Sequence, residues 1–474
     1  MNDTDLAFSS IEQVSRLVRE KRVSPIELMK LMLERIGRLN PKLNAYLAVT
    51  AEQALEQARK AESEISAPRT RARYRGPLHG IPISLKDNIE TAGIRTTAGS
   101  AILRDWIPAR DARVVTMLRR AGAVILGKMN LHEFAYGVTT NNPHYGLARN
   151  PWDLERIPGG SSGGSAAAIA AGLCYASIGT DTGGSIRIPA ALCGVVGVKP
   201  TWGAVSCEGI VPLSPTLDHT GPLTRTVADA AILLDVIWGT GDSKPRRGFF
   251  RSLRTGSRKI RLGRPHEFFF DIVSDDVRNV FERAVRDLER HGAQIVDVSI
   301  PLLLETEKAG NQIAWAEATH WHERMGFFPA RASEYSEDVR KRLEKGATVL
   351  GTSYLRALEL RCEFQAQLSD ALVKAGVEAL VAPTTPIAAP LIGEENARIG
   401  AEEYPTRALL LRLNRPANLA GVPALTIPCG VTAEGLPVGM QLIGRSSMDD
   451  SLLRIAAHYM RDCGWSAGRP PAAA

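Results

Sequence analysis

A chain of 474 residues, 44% hydrophobic and 23% charged, has ample material for a core, and this composition excludes a disordered or fibrous protein. The net charge of +7 is modest for the length and widely spread, which favours a solvated surface over a nucleic-acid-binding face. No apolar run reaches membrane-spanning length, so no membrane partner is expected.

The N-terminus, Met1 to Asp5, is acidic and no apolar h-region follows, so no signal peptide is expected and the reading is a cytoplasmic protein. Residues 9 to 64 read as helices. Ser9 and Ser10 are placed to cap a segment carrying Ile11, Val14, Leu17 and Val18 at helical spacing. Ser24 fits an N-cap and Pro25 the first helical position, ahead of an apolar face of Ile26, Leu28, Leu31, Met32 and Ile36. Ala51 to Ile65 is again helical in character, and residues 66 to 76 form a basic connector.

From Ile81 onward short apolar runs alternate with helical patterns. Val114 to Ala121 reads as a helix before the strand 123–126, and the alanine-rich 165–173 as a helix before the strand 175–178. Strands are expected again at 260–263, 294–298, 380–383 and 424–429. A helix is expected over Ser274 to His291, and helices from Leu303 to Ala375. This alternation predicts an α/β protein layered around a largely buried sheet. The basic run Lys244 to Arg261 reads as an exposed connector, and the small, proline-rich end of the chain, 467–474, as a disordered tail.

The residues with the most chemistry are two glycine-rich turns and an upstream lysine. Gly159 to Ser165 contains Ser161 and Ser162; Gly179 to Arg187 contains Asp181, Thr182, Gly183, Gly184, Ser185 and Arg187. Glycines let consecutive N–H groups converge on one point, as an oxyanion hole requires. A serine in such a turn is a candidate nucleophile, and Lys86 is a candidate base. A solvated lysine is charged at neutral pH, and lowering its pKa to neutrality costs about 4 kcal/mol, which burial can supply. Asp87 complicates this, unless its place next to Lys86 on a strand turns it to the opposite side.

Three other patterns compete with this reading and carry less. Gly122 to Lys128 fits a P-loop up to Met129, where Ser or Thr is required, and its interior is an apolar strand. Gly160 to Gly164 satisfies a Gly-x-Ser-x-Gly elbow, but His320 and His458, its available histidines, belong to no motif. His320 and His322 lack the companion ligands of a metal site and read as a loop or pocket lining. The six cysteines form no Cys-x-x-Cys pair and read as buried free thiols.

Residues 77 to 230 resemble the amidase signature family. The matching blocks are Gly76 to Pro82, Lys86-Asp87, Gly159 to Ser165, Gly179 to Pro189, Cys193 to Thr201 and Leu217 to Pro222, with Asn418 to Leu425 near the C-terminus. The resemblance implies one α/β/α layered domain with a large mixed β-sheet over residues 1–466, in which 1–75 is an N-terminal helical region and 245–380 a variable helical one. It implies Ser185 as nucleophile, Ser161 as a relay on a cis peptide, and Lys86 as base. Backbone amides of Thr182, Gly183, Gly184 and Ser185 would form the oxyanion hole, with Ser162, Asp181 and Arg187 in support, and no metal or organic cofactor.

Several positions depart from the amidotransferase A subunit of that family. Ile188 stands where Gln is common, and Leu411 where an acidic residue would hold the amino group of glutamine. Pro212 to Pro215 looks like a general amidase, although Arg361 could match the arginine expected on the glutamine carboxylate. The expectation is therefore a stand-alone amidase acting on a less polar small-molecule amide, with no nucleic-acid partner and a possible homodimer through the N-terminal helices. The stretch Leu409 to Ala420 is expected to line its pocket. The alternatives are the glutaminase subunit of a tRNA-dependent amidotransferase and an inactive scaffold.

Overall fold

The computed structural model describes residues 2–67, 74–239, 248–254, 260–462, 464 and 468–473. Among them the strands are β1 (Tyr46–Val49), β2 (Pro82–Lys86), β3 (Val124–Met129), β4 (Ala176–Asp181), β5 (Val196–Lys199), β6 (His219–Thr224), β7 (Arg261–Pro265), β8 (Gln294–Val298), β9 (Ala379–Pro383), β10 (Asn396–Ile399), β11 (Glu402–Pro405), β12 (Ala424–Val431) and β13 (Pro437–Gly444). Eleven of them form one mixed sheet in the order β1-β3-β2-β4-β6-β5-β12-β13-β9-β7-β8, while β10 and β11 pair as a separate ribbon. This is the α/β fold with a large mixed sheet that the sequence predicts.

The central strands are buried along their whole length, as sheets covered on both faces must be. β2 runs parallel to β4 with Leu85 opposite Ile178, so Lys86 and the pair Thr180-Asp181 leave the sheet at the same edge. β6 runs antiparallel to β4 with His219 opposite Asp181, which returns Asp218 to that edge. Three strand ends thus converge outside the carboxyl end of a parallel pair, where open α/β sheets carry their ligands.

The N-terminal helices follow the expected start signals. Ser10 and Ser24 each close a capping box, with Gln13 and Glu27, and Pro25 occupies the first helical turn. These helices dock by buried polar contacts as well as apolar packing. Asp229 accepts the N–H of Ile11 at 2.8 Å, and Arg35 donates to the carbonyls of Ala171 and Gly172 at 2.9 and 3.0 Å.

The end of the chain corrects an expectation. Residues 468–473 are anchored, although Gly468, Arg469 and Pro471 are exposed: Ala473 is fully buried, its carbonyl accepts from Arg35, and Arg469 pairs with Asp5 at 2.7 Å. Small residues fit against the N-terminal helices there, so low complexity did not mean lack of contact. Half of the basic run from Lys244 to Arg261 (244–247 and 255–259) lies outside the described residues, as do the tail's first residue, 467, and its last, 474. Among the described residues no helix is long and apolar enough to cross a membrane.

β6 carries a constraint that only glycine meets. A Cβ at Gly221 would lie 2.0 Å from the Val198 carbonyl oxygen, a backbone atom that cannot step aside. Gly221→Ala is expected to lower stability by about 3 kcal/mol, the upper end of ordinary overpacking costs, read as a shift of the urea midpoint at unchanged slope.

Candidate active site

Lys86 ends β2 and is fully buried. Its Nζ donates to Ser161 Oγ and Thr180 Oγ1, both at 2.7 Å. Burial lowers its pKa to about 7, with the charges of Asp218 and Asp181 pushing the other way. Asp87 does not hold the ammonium charged. It turns to the opposite side, as alternation requires, and takes the N–H and hydroxyl of Thr97 while lying 3.5 Å from Lys128.

Ser161 lies on a cis Gly160–Ser161 peptide, immediately before the helix Gly163–Ala170. Ser162 joins the two glycine-rich turns: its N–H donates to the Ser185 carbonyl at 3.2 Å, and its hydroxyl to the Thr180 carbonyl at 3.3 Å. Ser185 lies in the turn between β4 and the helix Arg187–Cys193. Its hydroxyl makes no hydrogen bond among the described residues, and the residue lines a cavity.

The Ser185 turn is built around Asp181. That carboxylate accepts the N–H of Gly184 at 2.8 Å and of Ile186 at 3.2 Å, the side chain of Asn418 at 2.8 Å, and a two-pronged contact from Arg187 at 3.0 and 3.1 Å. Arg187 and Asp181 are both fully buried. Burial alone would raise the Asp181 carboxyl, but the Arg187 guanidinium outweighs it and holds the group well below the usual carboxylate range. The turn also needs glycine: Gly184 has φ +121°, and a Cβ there would meet that of Asn414 at 2.6 Å. Because Asp181 takes the Gly184 amide, three of the four expected oxyanion donors, Thr182, Gly183 and Ser185, keep N–H groups without a partner among the described residues.

Several residues of the site carry no assigned role in the sequence reading. Thr180 is the second acceptor for Lys86. Asp218 accepts the Thr182 hydroxyl and the N–H groups of Leu213 and Ser214, and burial raises its pKa to about 6. Asn418 and Gln441 complete the shell of Arg187 at 2.6 and 3.2 Å. Asp218 and Asn418 lie inside the matching blocks, so the signal is present there without a stated role.

The cavity beside Ser185 has Thr182 and Gly183 on one side and Tyr136, Arg407, Leu411 and Arg415 among its other walls. Within Leu409 to Ala420, the stretch expected to line the pocket, Leu411 and Arg415 do so. Arg361 does not; its guanidinium stacks over the Trp202 ring at 5.8 Å. His322 is on a helix, not a loop, where it meets Tyr335 Oη at 2.8 Å, and burial lowers its pKa to about 3. His458 pairs with Asp462 on the C-terminal helix. Gly127 and Lys128, the end of the P-loop-like run, lie within strand β3.

The profile of the Amidase family matches residues 27–453, and the chain belongs to the amidase family, whose members are amidase-type hydrolases. Its relatives include the A subunit of the glutamyl-tRNA(Gln) amidotransferase of Moorella thermoacetica, 37% identical over 98% of this chain and 99% of that protein. A solved structure described as part of a vestigial protein complex at the origin of an s-triazine catabolic enzyme superposes with a TM-score of 0.90. It is 32% identical and covers 98% of this chain and all of its own. The glutamyl-tRNA(Gln) amidotransferase A subunit of Thermotoga maritima superposes with a TM-score of 0.78 at 37% identity, covering 95% of this chain and 94% of its own.

These similarities correct the expected specificity and partners. A stand-alone amidase for a small, less polar amide with no nucleic-acid partner is overturned by near-full-length relatives named as subunits of a tRNA amidotransferase. The physical reason lies in the cavity walls. Leu411 suggests an apolar pocket, yet two arginines share those walls with it.

The buried pair gives a test of the turn. Arg187→Met leaves Asp181 charged and without its guanidinium, and is expected to cost about 3–5 kcal/mol of stability in urea unfolding. Asp181→Asn combined with Arg187→Met should recover part of that loss.

Proposed function

We propose that this chain is the ammonia-releasing subunit of a tRNA-dependent amidotransferase, cleaving the carboxamide of glutamine through an acyl-enzyme on Ser185. The observation that carries the reading is Lys86, buried, brought to about 7 and joined at 2.7 Å to Ser161. The near-full-length similarity to amidotransferase A subunits supports the wider assignment.

In the reaction, neutral Lys86 accepts a proton from Ser161, which takes one from Ser185 as its Oγ attacks the amide carbon. The N–H groups of Thr182, Gly183 and Ser185 receive the developing oxyanion, each such donor being worth about 3 kcal/mol in the transition state. The tetrahedral centre collapses, the C–N bond breaks, and the proton held by Lys86 returns through Ser161 to the nitrogen, which leaves as ammonia. Water then attacks the ester with the same relay taking its proton, and glutamate leaves. Asp181 and Arg187 do not touch the reacting atoms; they hold the turn in place.

The purified chain should release ammonia from glutamine, and with its partner subunits should deliver it to a tRNA-linked acceptor. Ser185→Ala should lower ammonia release at least about 10⁴-fold with unchanged folding by circular dichroism. Failure to use glutamine while cleaving other amides would remove the amidotransferase assignment.

The Lys86 base gives a pH signature. Its amine must be neutral, so kcat/KM should rise with pH and level off above a midpoint near 7. Across this range the competing group, Asp218, is already losing its proton, since its value is about 6. A profile flat over roughly pH 6 to 8 would exclude an amine base with this value.

A further inference from the structure

The walls of the cavity opposite the Ser185 turn hold more positive charge than the reaction uses. Arg415 is only 6% exposed. Its Nη1 donates to Asn311 Oδ1 at 2.6 Å, and its Nε has no hydrogen-bond partner. The Nε of Arg407 and the hydroxyl of Tyr136 are likewise buried and unpartnered. Among the described residues neither arginine forms an ion pair. Burial, with the charges of Arg342 and Arg415 nearby, lowers the pKa of Arg407 to about 9.

The acidic groups that act on this pair are committed elsewhere. Asp338 takes His132 at 3.0 Å and also pairs with Arg342, and Glu307 lies 3.7 Å from Arg412. Two buried guanidinium groups without a carboxylate are costly, and an anion entering the cavity would relieve that cost. A Cβ built on Gly183 would lie 3.6 Å from Arg415 Nη2, so this guanidinium borders the turn that carries Ser185.

The same wall offers no carboxylate to a positive group. Leu411 stands where an acidic side chain would face an ammonium, and a Cβ on Gly183 would lie 3.2 Å from its Cδ2. No Asp or Glu is among the residues lining the cavity.

We infer that Arg407 and Arg415, with the Tyr136 hydroxyl, bind the carboxylate of the substrate, and that the site accepts carboxamides bearing a remote carboxylate without requiring an α-amino group. The inference rests on Ser185 being the residue that attacks the amide, since that fixes which end of the substrate faces the arginines. The donor is read by its negative end alone, so glutamine and its amino-free analogue 4-carbamoylbutanoate belong to one substrate class.

The test is calorimetric binding to the full-length Ser185→Ala protein, which cannot turn the ligands over. 4-Carbamoylbutanoate should bind at least as tightly as glutamine and roughly 10- to 100-fold more tightly than pentanamide, its neutral counterpart. Arg415→Met in the same background should erase most of that preference, and Arg415→Lys should restore part of it. Pentanamide binding as well as 4-carbamoylbutanoate, or glutamine binding more than about tenfold better than its amino-free analogue, would overturn the inference. Should Arg415→Met fail to fold, the ligand ratios on Ser185→Ala decide alone. Carboxylate preference with ammonia release from glutamine but no delivery to a tRNA-linked acceptor would sink the amidotransferase assignment and leave this inference standing; ammonia release without the preference would do the reverse.

Discussion

The Asp181–Arg187 pair is the interaction on which the site's geometry depends. Both side chains are fully buried, and between them they collect Asn418, Gln441 and the amides of Gly184 and Ile186. A buried ion pair is a poor source of stability, because desolvation cancels much of its attraction. Its value here is positional. Asp181 ends β4, Arg187 begins the following helix, and Ser185 lies in the short turn they close. The pair also reaches β13 through Gln441 and the Asn418 segment, so distant parts of the chain must assemble before the turn is fixed. An exposed loop could not hold three backbone amides and a hydroxyl in one arrangement.

The same logic of placement explains how a lysine becomes usable as a base. The chain buries Lys86, Lys128 and Lys199 completely, yet each is handled differently. Burial lowers Lys128 to about 8, with Asp87 at 3.5 Å opposing the shift. Lys199 donates to the Pro200 carbonyl, and burial pushes it down well below its ordinary value, with the charge of Arg187 adding to the effect. Lys86 has hydroxyl oxygens as its close partners, while the carboxylates of Asp218 and Asp181 act on it only from beyond contact. Burial then wins over attraction by a margin that brings the amine near neutrality. Strand alternation makes this possible, because it sends the adjacent Asp87 to Lys128 and leaves Lys86 to Ser161 and Thr180.

What is legible in the sequence follows from where signals are local. Capping serines, the first-turn Pro25, and helices such as Asp275–Arg290 announce themselves within a few residues, and the structure places them where expected. β5 and β6 escape a sequence reading because they are short and interrupted by Gly197, Gly221 and Pro222, residues that ordinarily break strands. Their pairing is set by partners far along the chain. The lysine and both serines are visible as motif positions, whereas Thr180 and Asp218 acquire a role only when β2, β4 and β6 align their ends. The disordered-tail expectation fails for a related reason: composition describes a segment alone, and Ala473 is buried by residues near the other terminus.

The specificity expectation fails because it lets one position speak for a whole cavity. Leu411 does present an apolar wall, and that much is correct. But the chain leaves one short helix at Arg412 and starts the next at Arg415, and this turn brings Arg415 to the same wall as Leu411. Removing an acidic side chain from a wall that contains arginines does not make it apolar; it makes it more positive. The loss at Leu411 and the charge at Arg407 and Arg415 are therefore one feature. Without a local carboxylate to neutralise them, the guanidinium groups remain available to an incoming anion, and the pocket that looked stripped of its recognition for an amino acid has kept the half that recognises the acid.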